Sequence, residues 1–135
     1  MIQEHWLFKE QLQSLNISDE YSSTAVSGMV STEFVAGRPF GGCAILYRKS
    51  LSKFITTIKS ISKRFCAISL TCSSMSILLI CVYLPTNYGT SQSHDFYLEV
   101  LGELKGFIDA QVFDKVIVAG DFNVDFNHRG TTCVY

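Results

Sequence analysis

The run "SILLICVYL" at residues 76–84 sets the first limit on what this chain can fold into. It is aliphatic and β-branched, and it ends at Pro85, which cannot continue a strand ladder. A membrane-crossing helix needs about 20 apolar residues, so this run is too short to span a bilayer. A strand without polar alternation is buried on both faces and needs a packed layer on each side. Just before it stands "FCAISLTC", residues 65–72, with the polar "SSMS", residues 73–76, as a hairpin turn between the two. Further upstream "CAILYRK" and "KFITTIK" have the same Ile-, Thr- and Phe-rich character. The reading is of strands between residues 42 and 84 that are consecutive antiparallel neighbours.

The flanks read differently. "HWLFKEQLQSLN", residues 5–16, places Trp6, Leu7, Leu12 and Leu15 toward one side and predicts a short amphipathic helix. Residues 16–24 are polar and read as a loop, "AVSGMV" as a weak strand, and residues 31–37 are ambiguous. "GRPFGG", residues 37–42, is a turn-rich loop. After the "TNYGTSQS" loop, Ser93 is a candidate cap for a helix over residues 94–111. There Phe96, Val100, Leu101, Leu104, Phe107 and Ile108 recur at helical spacing. A last strand, residues 115–119, follows, and the helix before it implies a crossover. The order predicts one α/β (α+β) domain: a layered β-sandwich of mainly antiparallel sheets flanked by helices.

Composition narrows the function. The 135 residues carry a net charge of −1, which argues against coating nucleic acid by bulk electrostatics. It leaves room for a local grip on a phosphate backbone. The five cysteines, at 43, 66, 72, 81 and 133, are odd in number and lack a CxxC spacing. They read as reduced core thiols of an intracellular protein, cytoplasmic or nuclear. The start "MIQEHWLFKE" has no basic segment followed by an apolar block, hence no expected signal peptide, and no membrane partner is expected.

The chemistry gathers where the last strand ends. "VIVAGDFN" runs from a buried strand into Asp121 and Asn123, two residues apart. If the chain stays extended, both point to one face and Phe122 points into the core. A carboxylate and an amide at the rim of a stiff sheet suit a hard cation and a phosphate. Gly120 would permit a close backbone approach. Asp, Asn and Gly are equally the residues of a turn, so both readings stand. By itself Glu4 reads as an acid at a helix start. By itself Tyr83 reads as a core tyrosine with its hydroxyl at the edge.

Taken in order, "QEHW", "GGCAILYR", "VYLPTN", a helix and "VIVAGDFN" resemble the endonuclease/exonuclease/phosphatase family. Most closely they resemble the endonuclease domain of non-LTR (LINE-type) retrotransposon proteins. The resemblance implies an α/β sandwich and a metal-dependent phosphodiester hydrolase using Mg²⁺ (or Mn²⁺). It implies that Glu4 and Asp121 serve the metal, with Asp121 also orienting or deprotonating the attacking water. Tyr83 and Asn123 would contact the phosphate as catalytic partners. Asn87 would be a further phosphate or DNA contact, although one extra residue separates it from the family's spacing. The implied partner is the DNA phosphate backbone, with a reverse transcriptase domain in the same parent polypeptide. A phosphatase or sphingomyelinase of the same superfamily, or a non-catalytic remnant, is the alternative.

The family pattern also has a strand ending in asparagine upstream of Q-E, and a terminal S-D-H segment with a catalytic histidine. Neither has a counterpart here, and His128 reads as a loop residue. Residues 1–135 therefore read as a partial domain, incomplete at both termini and inactive as an isolated chain. Lys49, Lys53, Lys59, Lys63 and Arg64 read as scattered, solvated charges.

Overall fold

The computed structural model describes residues 1–29 and 41–124. The ambiguous stretch 31–37, most of the 37–42 loop, His128 and Cys133 lie outside the described residues. Among the described residues seven strands and one α-helix form the frame: β1 (Ile2–Gln3), β2 (Tyr21–Val26), β3 (Cys43–Arg48), β4 (Ile55–Ile58), β5 (Phe65–Cys72), β6 (Met75–Tyr83), α1 (Ser91–Asp109) and β7 (Lys115–Asp121). One sheet has the order β1-β3-β2 and the other β4-β5-β6-β7. The fold is α+β, with the larger sheet sandwiched between α1 and the smaller sheet.

The double burial expected of residues 76–84 has a direct cause. Leu78, Ile80 and Val82 of β6 face one way, with Phe65 and Ala67 of β5, and pack on Val100 and Leu104 of α1. The alternate residues, Cys81 of β6 with Cys66 and Ile68 of β5, pack on Cys43 and Ile45 of the other sheet. A period of two with both faces covered makes every position apolar. The hairpin turn falls at Ser73–Ser74, and Cys72 pairs with Met75 across it. Strand β7 runs parallel to β6, so α1 is the expected crossover.

Four expectations are corrected. First, β3 is not a neighbour of β4: a 3-10 helix over Lys49–Phe54 carries the chain from one sheet to the other, and of the strands described between residues 42 and 84 only β4, β5 and β6 are consecutive antiparallel neighbours. Second, part of the supposed loop at 16–24 is strand, because Tyr21–Val26 pairs residue for residue with β3. Third, the first helix shrinks to 3-10 turns at Lys9–Leu15. Tertiary contacts override the amphipathic pattern upstream: the Glu4 and Trp6 amides donate to the Gly42 and Gly41 carbonyls, with φ of 51° and 55° at Glu4 and Trp6. Fourth, Thr90 rather than Ser93 caps α1. Ser93 sits three residues on and completes a capping box with it.

Candidate functional site

The end of β6 and the elements on either side of it assemble the site. Strand β1 pairs Gln3 with Cys43, and the Glu4 amide continues the contact by donating to Gly42 O at 2.9 Å. The chain then turns, and Trp6 Nε1 donates to Glu4 Oε2 at 3.1 Å. On the other side, the parallel register sets Tyr83 beside Asp121, which puts both on the face toward the smaller sheet. The Tyr83 phenol is pushed above its ordinary range. Burial is the largest cause, followed by its hydrogen bond to Glu4 and the Glu4 charge; the Asp121 charge adds, and Arg64 opposes. Tyr83 therefore keeps its proton through neutral pH and can donate it. Three residues from opposite ends of the sequence, Glu4, Tyr83 and Asp121, thus meet at one end of the sandwich.

Beyond Asp121 the chain leaves the extended conformation, contrary to the expectation that Asp121 and Asn123 share a strand face. Asn123 has a φ of 50°, its amide donates to Asp121 Oδ1 at 2.9 Å, and its Nδ2 donates to Leu84 O at 2.7 Å. The turn reading of "GDFN" is what the geometry shows: the segment is closed by the Asp121 carboxylate, and Asp121 remains paired in register with Tyr83. Tyr97 of α1 clamps the same segment, its hydroxyl donating to Phe122 O at 3.0 Å.

Asn87 does not join this group by any hydrogen bond among the described residues. Its Oδ1 accepts from the Gly89 amide and Ser93 Oγ, and its Nδ2 faces His94 Nδ1 at 3.3 Å. It organises the loop that caps α1.

Among the described residues, no group of three or more His, Cys, Asp or Glu side chains is placed to hold a cation. Two carboxylates flank Tyr83. Mg²⁺ is commonly held by one or two carboxylates together with waters and substrate phosphate. The donor set fits that open kind of site and does not form a closed protein cage.

Three contributors escaped the sequence reading. Arg64 is not a scattered solvated charge: its guanidinium lies 5.5 Å from the Tyr83 ring centroid and 5.6 Å from that of Phe96. The hairpin was the available signal. Pairing Cys72 with Met75 carries down the ladder to Phe65 opposite Val82, which leaves Arg64 level with Tyr83. His5, expected at a helix start, instead ties the smaller sheet together. Its Nδ1 accepts from the Leu7 amide at 3.1 Å, so Nε2 carries the proton and donates to Val26 O at 3.0 Å. The ring lies so close to Gly42 that a Cβ there would stand 2.3 Å from it. Finally, Gln3 Nε2 donates to Cys81 Sγ at 3.2 Å, anchoring the residue before Glu4 to the central strand. The thiols of Cys43, Cys66 and Cys81 are free and buried between the sheets, as expected of core cysteines.

Comparison with known proteins places the fold. No protein-family model matches the chain. No curated protein matches it either. Among solved structures it is similar to D. rerio TDP2 complexed with a single strand DNA product, at 21% identity and a TM-score of 0.52, over 91% of this chain and 46% of that one. It is also similar to a D. rerio TDP2 humanized by 14 mutations, at 23% identity and a TM-score of 0.52, over 92% of this chain and 51% of that one. The chain spans about half the length of these structures, and what it shares with them is the fold, two packed sheets flanked by helix.

Proposed function

We propose that the Glu4–Tyr83–Asp121 group belongs to a metal-dependent phosphodiester hydrolase acting on nucleic acid, an intracellular DNA endonuclease of the retrotransposon type. The carrying observation is the convergence of Glu4 and Asp121 on a single phenol from strands at opposite ends of the sequence. The DNA product in the D. rerio TDP2 structure supports a nucleic-acid substrate, and "QEHW" with "GDFN" supports the endonuclease type. In that type the parent polypeptide also carries a reverse transcriptase domain.

Each side chain has a defined task in this reading. Glu4, with Asp121, would hold Mg²⁺ or Mn²⁺, which neutralises charge on the phosphoryl oxygens when bound. Asp121 aligns the attacking water and can accept its proton. Tyr83 remains protonated and donates to the charge that develops on the phosphate. Asn123, held on Leu84 O, contributes amide polarity at the same rim, and Asn87 offers an outer phosphate contact from the α1 loop.

Two measurements test this. Titration calorimetry with Mn²⁺ should give binding that Glu4→Gln and Asp121→Asn weaken. Supercoiled plasmid with Mg²⁺ should be nicked by the longer parent polypeptide and not by its Asp121→Asn variant. Nicking or ion binding indifferent to both substitutions refutes the assignment. Turnover of a soluble phosphomonoester without DNA cleavage would move the substrate to the phosphatase side of the superfamily.

A further inference from the structure

A second feature adjoins the site and has no part in the chemistry just described. A cavity of about 460 Å³ opens between α1 and the segment leading into β5, with Gly28, Gly41, Ser62, Arg64, Phe96 and Glu103 in its lining. Pockets that hold small organic ligands run from roughly 300 to 1,000 Å³. The cavity meets the site through Arg64, which touches both its wall and Tyr83, and through Gly41, where an added Cβ would sit 4.0 Å from the Tyr83 ring.

Its walls have an unusual division. Phe96 is a large aromatic one turn before the buried Val100 of α1, 44% exposed and outside both hydrophobic clusters. Arg64 lies between Phe96 and Tyr83, and no carboxylate among the described residues is ion-paired with it. A guanidinium keeps its charge at any physiological pH and offers a planar fork of donors suited to phosphate. At the far end, Ser62 Oγ donates to Glu103 Oε2 at 3.0 Å, giving a polar wall of hydroxyl and carboxylate. One aromatic plane, one cation beside a phosphate-directed phenol, and one polar wall suit a nucleotide out of its stack: base on ring, phosphate on guanidinium.

We propose that this cavity is a subsite for an unpaired nucleotide next to the scissile phosphate, its base stacked on Phe96 and its phosphate held by Arg64. It rests on the hydrolase reading for its neighbour, and its own binding is separable. The subsite makes the chain favour single-stranded or frayed substrate over intact duplex, because a paired base cannot leave its stack to reach Phe96.

The test is fluorescence anisotropy of a short labelled DNA single strand in EDTA, where no cleavage occurs, repeated with the blunt duplex of the same sequence. Phe96→Ala removes an exposed ring, so the fold should be kept, which far-UV circular dichroism verifies. The variant should bind the single strand roughly 5- to 100-fold more weakly, as expected on removing one base–aromatic stack, and bind the duplex unchanged. Arg64→Gln should flatten the logarithmic salt dependence of single-strand binding by about 0.7 for each phosphate the guanidinium neutralises. Equal binding by Phe96→Ala and wild type, equal weakening on both DNAs, or no single-strand binding by wild type overturns the proposal. If Phe96-dependent binding is found but nicking ignores Asp121→Asn, the subsite stands and the hydrolase reading falls. If nicking needs Asp121 but Phe96→Ala binds normally, the subsite alone falls.

Discussion

Gly120 carries the sharpest prediction, since it links sheet stability to the placement of Asp121. Its φ is +145°, in a region L side chains avoid, and a Cβ built there would stand 2.0 Å from Val82 O and 2.9 Å from Val82 N and C. The obstacle is the backbone of β6, which pairs with Gly120 and is fixed by β5 on its other side, so no side chain can swing away. Forcing extra volume into packed structure costs roughly 1–3 kcal/mol, and a disfavoured φ adds about 1–3 kcal/mol. Gly120→Ala should therefore destabilise by about 2–6 kcal/mol, a large part of the 5–15 kcal/mol typical of a domain. With a urea m-value of about 1–3 kcal/mol/M, the midpoint should fall by about 1 M or more. Gly102 and Gly106 of α1 supply the internal control. An added Cβ meets nothing within 4 Å at either, so alanine there should stabilise by about 0.5–1 kcal/mol. Equal midpoints for Gly120→Ala and wild type, or destabilisation by the helix substitutions, would refute the reasoning.

Other consequences are as direct. Gly42→Ala should cost about 2 kcal/mol or more through its collision with the His5 ring. In a His5→Ala background the ring is gone and only the strain of a φ of 93° remains, so a double-mutant cycle should show coupling. Tyr83 has a folded pKa above its unfolded value near 10. Its stabilising contribution is thus full below about pH 10 and vanishes as pH climbs through the folded value. Tyr83→Phe should make the alkaline fall in urea midpoint shallower, and the same substitution in the longer parent polypeptide should slow plasmid nicking by about 10²–10³ if the phenol serves the developing charge. Of Cys43, Cys66, Cys72 and Cys81, Cys72 alone is exposed, so peptide mapping after native-state alkylation should find it modified and the other three protected.

The limits of the sequence reading follow from how far each interaction reaches. Local pattern was enough for β5, the Ser73–Ser74 turn, β6, α1 and β7, because periodicity and turn chemistry act between residues close in the chain. It was also enough to single out Glu4, Tyr83 and Asp121 through their motifs. Tertiary structure decided the rest. The Lys49–Phe54 turn sends β4 to a different sheet from β3, and β3 makes a strand of Tyr21–Val26 despite its polar composition. Hydrogen bonds from the Glu4 and Trp6 amides to Gly42 and Gly41 hold His5 and Trp6 out of the helix that the amphipathic pattern of residues 5–16 favours. The site shows the same division. The sequence named an acid, a phenol and a second acid. Only the β1–β3 pairing and the parallel β6–β7 register bring those three groups together, because each contact joins segments separated by tens of residues and forms only after the sheets do.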